Sequence, residues 1–173
     1  MNELANRVPL TMELDNARRL WAVDAIEQYA LGVLEVLWPT ERRVHDALRT
    51  ARRFAAGEAT AEDLAAAADE VWGVYMWGCV YAPRYAGEPA HLIDAVHACL
   101  CATQNVLFGP PPAWAMDDPK VVNQYDRAVK HAAAAARHLQ WHDAALGEDP
   151  RSARETADWR AKSVEADIMS RRP

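Results

Sequence analysis

The chain is poor in the residues that build nucleophilic and phosphate-binding sites. Its only serines are Ser152, Ser163 and Ser170, and none sits in a Gly-x-Ser-x-Gly elbow. There is no P-loop and no Gly-x-Gly-x-x-Gly run, which excludes the usual backbone cradles for nucleotides. Positive charge is in deficit: 19 Lys and Arg face 25 Asp and Glu, a net charge of −6. That balance argues against a nucleic-acid binder or docking on anionic lipid, both of which need a basic face. The longest strongly apolar run, Val71 to Ala82, is too short to span a bilayer. Met1-Asn2-Glu3-Leu4 has neither the basic start nor the apolar run of a secretory leader. The cysteines are Cys79, Cys99 and Cys101, an odd number that suits reduced thiols better than a disulfide framework. A cytoplasmic protein is the expectation.

What the chain does have is helix-forming sequence. Its 173 residues, 51% apolar and 25% charged, are enough for one domain with its own core. No alternating strand pattern occurs. The reading is an all-α fold: residues 1–14 as an N-terminal leader, then one bundle domain of about six helices over 15–173. Asp15 is the expected N-cap of a first helix ending at Leu37, which turns apolar nearly all round from Leu31. Pro39-Thr40 ends it and opens an amphipathic second helix, whose Val44, Leu48, Ala51 and Ala55 form one stripe. Gly57 stops that helix. Thr60, with Asp63 three residues on, opens a third helix running to Tyr81. A fourth follows Pro89 to about Val106. Gly109 and Pro110–Pro112 cannot be helical and read as a rigid crossover at 109–112 inside one bundle. A fifth helix, holding the small-residue run Ala132–Ala136, and a last one over Arg151–Ser170 complete the set.

The phrases Ala17-Arg18-Arg19-Leu20, Glu41-Arg42-Arg43-Val44 and Arg52-Arg53-Phe54-Ala55-Ala56-Gly57 carry a resemblance. Residues 16–70 resemble an all-helical bacterial domain family. Some of its members are labelled immunity proteins, and others are companion domains of multidomain proteins. Glu155, Trp159 and Ala166-Asp167-Ile168 echo the family's tail loosely. The resemblance implies a protein that binds, and neutralises, a protein partner such as a toxin or effector. It carries over no catalytic residue.

Three constellations stand out. Trp72, Tyr75, Trp77, Tyr81 and Tyr85 crowd one stretch. On a helix Trp72 and Tyr75 share one face, Trp77 and Tyr81 another. One set can serve the core and the other a partner-binding surface; both can also be covered, by neighbouring helices or a homodimer seam. His97 with Cys101, and His138 with His142, are i, i+4 pairs that could together hold zinc; buried Cys as a small hydrophobe and surface His are the plainer reading. Asp24 and Glu27, on an otherwise apolar helix, suggest an internal ion pair with Arg43 or another second-helix arginine. The reading is a non-enzymatic, helical protein-interaction module with no resident cofactor. A metal-binding helical protein or enzyme, and a structural homo-oligomer, are the alternatives.

Overall fold

The computed structural model describes residues 3–77, 90–108, 124–145 and 149–173. The crossover expected at 109–112 lies outside them. Among the described residues there is no strand. The helices are α1 (Glu3–Tyr29), the six-residue α2 (Gly32–Leu37), α3 (Arg43–Ala55), α4 (Ala61–Tyr75), α5 (Ala90–Leu107), α6 (Gln124–Ala145) and α7 (Pro150–Ser170). The chain is an all-α, single-domain bundle.

Two helix ends follow from local chemistry that the sequence displays. Gly57 sits at φ 76°, the left-handed region, just past α3. The Gly57 N–H donates to the Phe54 oxygen at 3.0 Å and the Glu58 N–H to the Arg53 oxygen at 2.8 Å. This double bond pattern satisfies the last carbonyls of the helix. At the start of α4 the Thr60 hydroxyl oxygen accepts from the Asp63 N–H, and the Asp63 carboxylate accepts from the Thr60 N–H. The Thr60 main chain holds the exposed Asp63 carboxyl below the usual carboxylate range.

The first helix departs from expectation at both ends. It is helical from Glu3, so the leader is part of α1, and Asp15 lies inside the helix instead of capping it. It stops at Tyr29, because the Ala30 and Leu31 N–H groups both bond the Ile26 oxygen at 2.9 Å and α2 begins afresh at Gly32. Within α2 only Val33 and Leu34 are buried.

Asp15 has a different task. Its carboxyl is buried, accepts from the Tyr125 hydroxyl at 2.8 Å, and pairs with Arg19 at 3.5 Å. The Arg19 guanidinium is fully buried between the rings of Phe54 (5.0 Å) and Tyr125 (5.3 Å). It donates to the main-chain oxygens of Val106 and, at 3.0 Å, Phe108. A side chain of α1 thus caps the carboxyl end of α5, where the helix leaves carbonyls without internal partners. Burial pushes the Tyr125 hydroxyl well above its ordinary range, which keeps it a donor.

Around this polar knot the core is apolar. α3 buries Val44, Leu48 and Ala51, as its stripe predicts. α6 packs against α5, α7 and α1, and its Ala128, Ala132 and Ala135 are buried where these helices meet. Small side chains there allow close approach of the helix axes. The Trp21 indole N–H fixes the end of α7 by donating to the Ile168 oxygen at 2.9 Å.

Asp24 and Glu27 do pair with a second-helix arginine, but Arg43 is corrected as that partner and the interior is corrected as the setting. Arg52, not Arg43, reaches both carboxylates, each at 2.5 Å. The three side chains remain well exposed, since Asp24 and Glu27 lie on the solvent side of α1. Arg43 instead pairs with Glu41 at 2.7 Å and holds that carboxyl below its usual range, chiefly through the hydrogen bond.

Candidate functional site

One stripe of α5 faces away from the core. His97, Cys101, Gln104 and Phe108 fall at i, i+4, i+7 and i+11, the spacing of a single helix face. α4 presents a matching stripe of Ala68, Trp72 and Tyr75, also at i, i+4 and i+7. α4 packs against α5, and the Gln104 amide fastens the two by donating to the Ala68 oxygen at 2.8 Å. Between these stripes opens a groove of about 490 Å³, with His131 of α6 at its floor.

Its aromatic wall is ordered by stacking. The Trp72 and Tyr75 rings lie 5.2 Å apart and nearly parallel, at 20°. The Tyr75 hydroxyl is hydrogen-bonded to His97 Nε2 at 3.0 Å, and their rings tilt at 47°. This anchors Tyr75, and Tyr75 in turn supports Trp72, which is 54% exposed. Phe108, 52% exposed, supplies an aromatic face on the α5 side. Exposed aromatic rings backed by a rigid stack are the usual anchors of a binding surface.

The polar groups of the groove include several acceptors. The Asn105 amide N–H donates to the Cys101 oxygen at 2.8 Å, as Gln104 donates to Ala68. Each NH₂ thereby uses one of its two N–H groups, and the amide oxygen is an acceptor these side chains can offer a ligand. Asp69 adds the one carboxylate of the lining. His131 is pushed below its ordinary range by burial first, then by His97 and Arg127, so it is neutral at pH 7. Among the described residues the lining therefore has no cation.

The site brings together two groups that the sequence keeps apart. Trp72 and Tyr75 meet His97 and Cys101. Trp77, 72% exposed, lies past the end of the groove lining, and Tyr81 and Tyr85 lie outside the described residues. Of the four proposed zinc ligands, the side chains of His97, Cys101 and His138 are described and that of His142 is not. Cys101 Sγ is 3.9 Å from His97 Nε2, but the α6 histidine acting on His97 is His131, not His138. His138 has Asp94 and Arg137 as its charged neighbours, and the side chain of His142 is outside those described. Among the described residues no three of His, Cys, Asp and Glu form a metal-binding group. Burial raises the Cys101 thiol, and pushes Cys99 up to about 12, so neither thiol is an activated nucleophile. Asp69, Gln104, Asn105 and Phe108 were not singled out by sequence reading. For Gln104, Asn105 and Phe108 the common signal is the outward side of α5, hidden because that helix is apolar on its other side as well, while Asp69 lies on α4.

Among the described residues no helix is long and apolar enough to cross a membrane. Comparison of the chain with family models, with curated proteins and with solved structures gives no match.

Proposed function

We propose that this protein is a helical interaction module whose docking face is the α4–α5 groove. The observation that carries the reading is the exposed Trp72, stacked on Tyr75 and facing Phe108 across an apolar groove. An exposed indole costs solvation unless something covers it, and the Tyr75–His97 bond holds it in place beforehand. The net charge of −6 favours a partner with a basic surface. The resemblance of residues 16–70 to immunity-like bacterial proteins points the same way, towards a toxin or effector that the module neutralises in the cytoplasm.

The test is capture from the native host on immobilised protein, comparing wild type with Trp72→Ala and Phe108→Ala. Trp159→Ala, on α7 and still more exposed, is the control. The expected result is a partner retained by wild type and by Trp159→Ala, at least about tenfold depleted on the groove variants, and forming a defined complex when purified. Retention that ignores both groove variants would sink the assignment of this face.

A further inference from the structure

The chemistry of the groove narrows what its occupant presents. Resting on the docking reading above, we propose that the groove receives an arginine side chain of the partner protein, with its guanidinium plane laid against Trp72. Three observations converge on this. The ring of Trp72 is exposed and stacks on Tyr75. Acceptors lie beside the ring: the amide oxygens of Gln104 and Asn105, whose NH₂ groups each donate one N–H to a main-chain carbonyl, and the carboxylate of Asp69, the one charged group of the described lining. Among the described residues the lining holds no positive charge, because burial lowers the one basic group among them, His131.

A guanidinium fits that set better than other groups. It is planar, carries five N–H donors and no acceptor, and gives up its hydration readily. It can stack on an indole while donating sideways to oxygens. A carboxylate or phosphate would meet the Asp69 carboxylate, the one charge of the described lining. A purely apolar side chain would leave the amide oxygens and Asp69 without partners and partly desolvated. An ammonium satisfies charge but cannot stack. The same chain already holds one arginine this way: Arg19 lies between two aromatic rings with oxygens at its edge.

The experiment uses the whole chain labelled with ¹⁵N and three capped tripeptides, Gly-Arg-Gly, Gly-Lys-Gly and Gly-citrulline-Gly. Citrulline has the shape of arginine without the charge. The signal is the indole N–H of Trp72, one of seven in the chain, identified by its loss in Trp72→Ala. The arginine peptide should move this signal saturably. Citrulline should bind at least about tenfold more weakly and lysine at an intermediate level. Asp69→Asn should weaken the arginine peptide roughly two- to fivefold. Asp69 and Trp72 are exposed, so both variants should keep the wild-type melting curve. Equal binding of citrulline and arginine would overturn the arginine assignment and leave the docking face standing. No shift with any peptide would overturn it too, and the capture experiment then decides separately whether the face docks a protein. Dimerisation of the chain that blocks the peptide would give the groove to a second copy and refute the proposal.

Discussion

Arg19, in the middle of α1, donates a hydrogen bond to the main-chain oxygen of Val106, 87 residues further along at the carboxyl end of α5. The contact is fully buried, and Asp15 balances the charge one helical turn away. Phe108, the next acceptor of the same guanidinium, also forms part of the groove. The knot therefore sets where α5 ends, and with it the position of one groove wall.

Removing Arg19 should be the most damaging single polar change in the protein. Arg19→Met keeps much of the volume but leaves the buried Asp15 carboxylate without its counter-charge and takes the Arg19 donor from the Val106 oxygen. Breaking a buried pair from one side costs about 3–5 kcal/mol. Tyr125→Phe removes one hydrogen bond to a charged acceptor and should cost about 1.5–3 kcal/mol. Urea unfolding curves give both values. An Arg19→Met loss below about 1 kcal/mol would show that the buried knot is not a stabilising unit.

Helix ends and helix type were legible in the sequence because they depend on near neighbours. Thr60 with Asp63, and Gly57 after Ala56, need only a few residues to declare themselves. The stripe of α3 was legible for the same reason. What escaped is long-range. Asp15 looks like an N-cap, since nothing local reveals that Tyr125 and Arg19 converge on it from elsewhere. Among the second-helix arginines sequence cannot choose a partner for Asp24 and Glu27. Arg52 lies one turn from the end of α3 and reaches them, while Arg43, at its start, finds Glu41 two residues away. The groove was half legible. Trp72 and Tyr75 stood out by composition, and the α5 wall did not, because its residues are ordinary singly and become a site only opposite α4.

The capping box of α4 should be separable from the core. Thr60→Ala removes the hydroxyl that accepts from the Asp63 N–H, at a cost of about 1 kcal/mol. Thr60→Ser keeps that acceptor and should stay close to wild type. Because α4 carries the groove's aromatic wall, hydrogen exchange should rise in its first turn while the Trp72 end stays protected. Uniform loss of protection along α4 would mean that the cap holds the whole helix.

The Arg52 fork should behave as a surface interaction despite its two short bonds. All three partners are solvated, so Arg52→Ala should cost no more than about 1 kcal/mol, and the difference should shrink on adding salt. Asp24→Asn and Glu27→Gln should each remove part of that, and the double change about as much as Arg52→Ala. A loss of several kcal/mol, insensitive to salt, would mean that the fork is shielded from water.

Stability should fall on mild acidification, and two histidines of α6 should account for it. Burial leads in lowering His131, with His97 of α5 and Arg127 adding to the effect. Burial also leads for His138, where Arg137 acts in the same direction and Asp94 of α5 opposes it. Both folded values lie below the 6.5 of an unfolded histidine. Below that pH the unfolded chain takes up protons before the folded one, so unfolding gains. The stabilising contribution is complete above 6.5, declines as pH drops through 6.5 to the folded values, and levels off beneath them. Glu41 and Asp63 act in a lower window: their folded values are depressed from 4.5 and 3.8, so stability is lost there only as pH falls below those figures. Melting temperature should thus be flat from about pH 8 to 7 and drop by a few degrees between about pH 6.5 and 5, ahead of the carboxylate loss. His131→Gln with His138→Gln should flatten the first step and leave the second. A first step that survives both substitutions would assign it to groups outside α6.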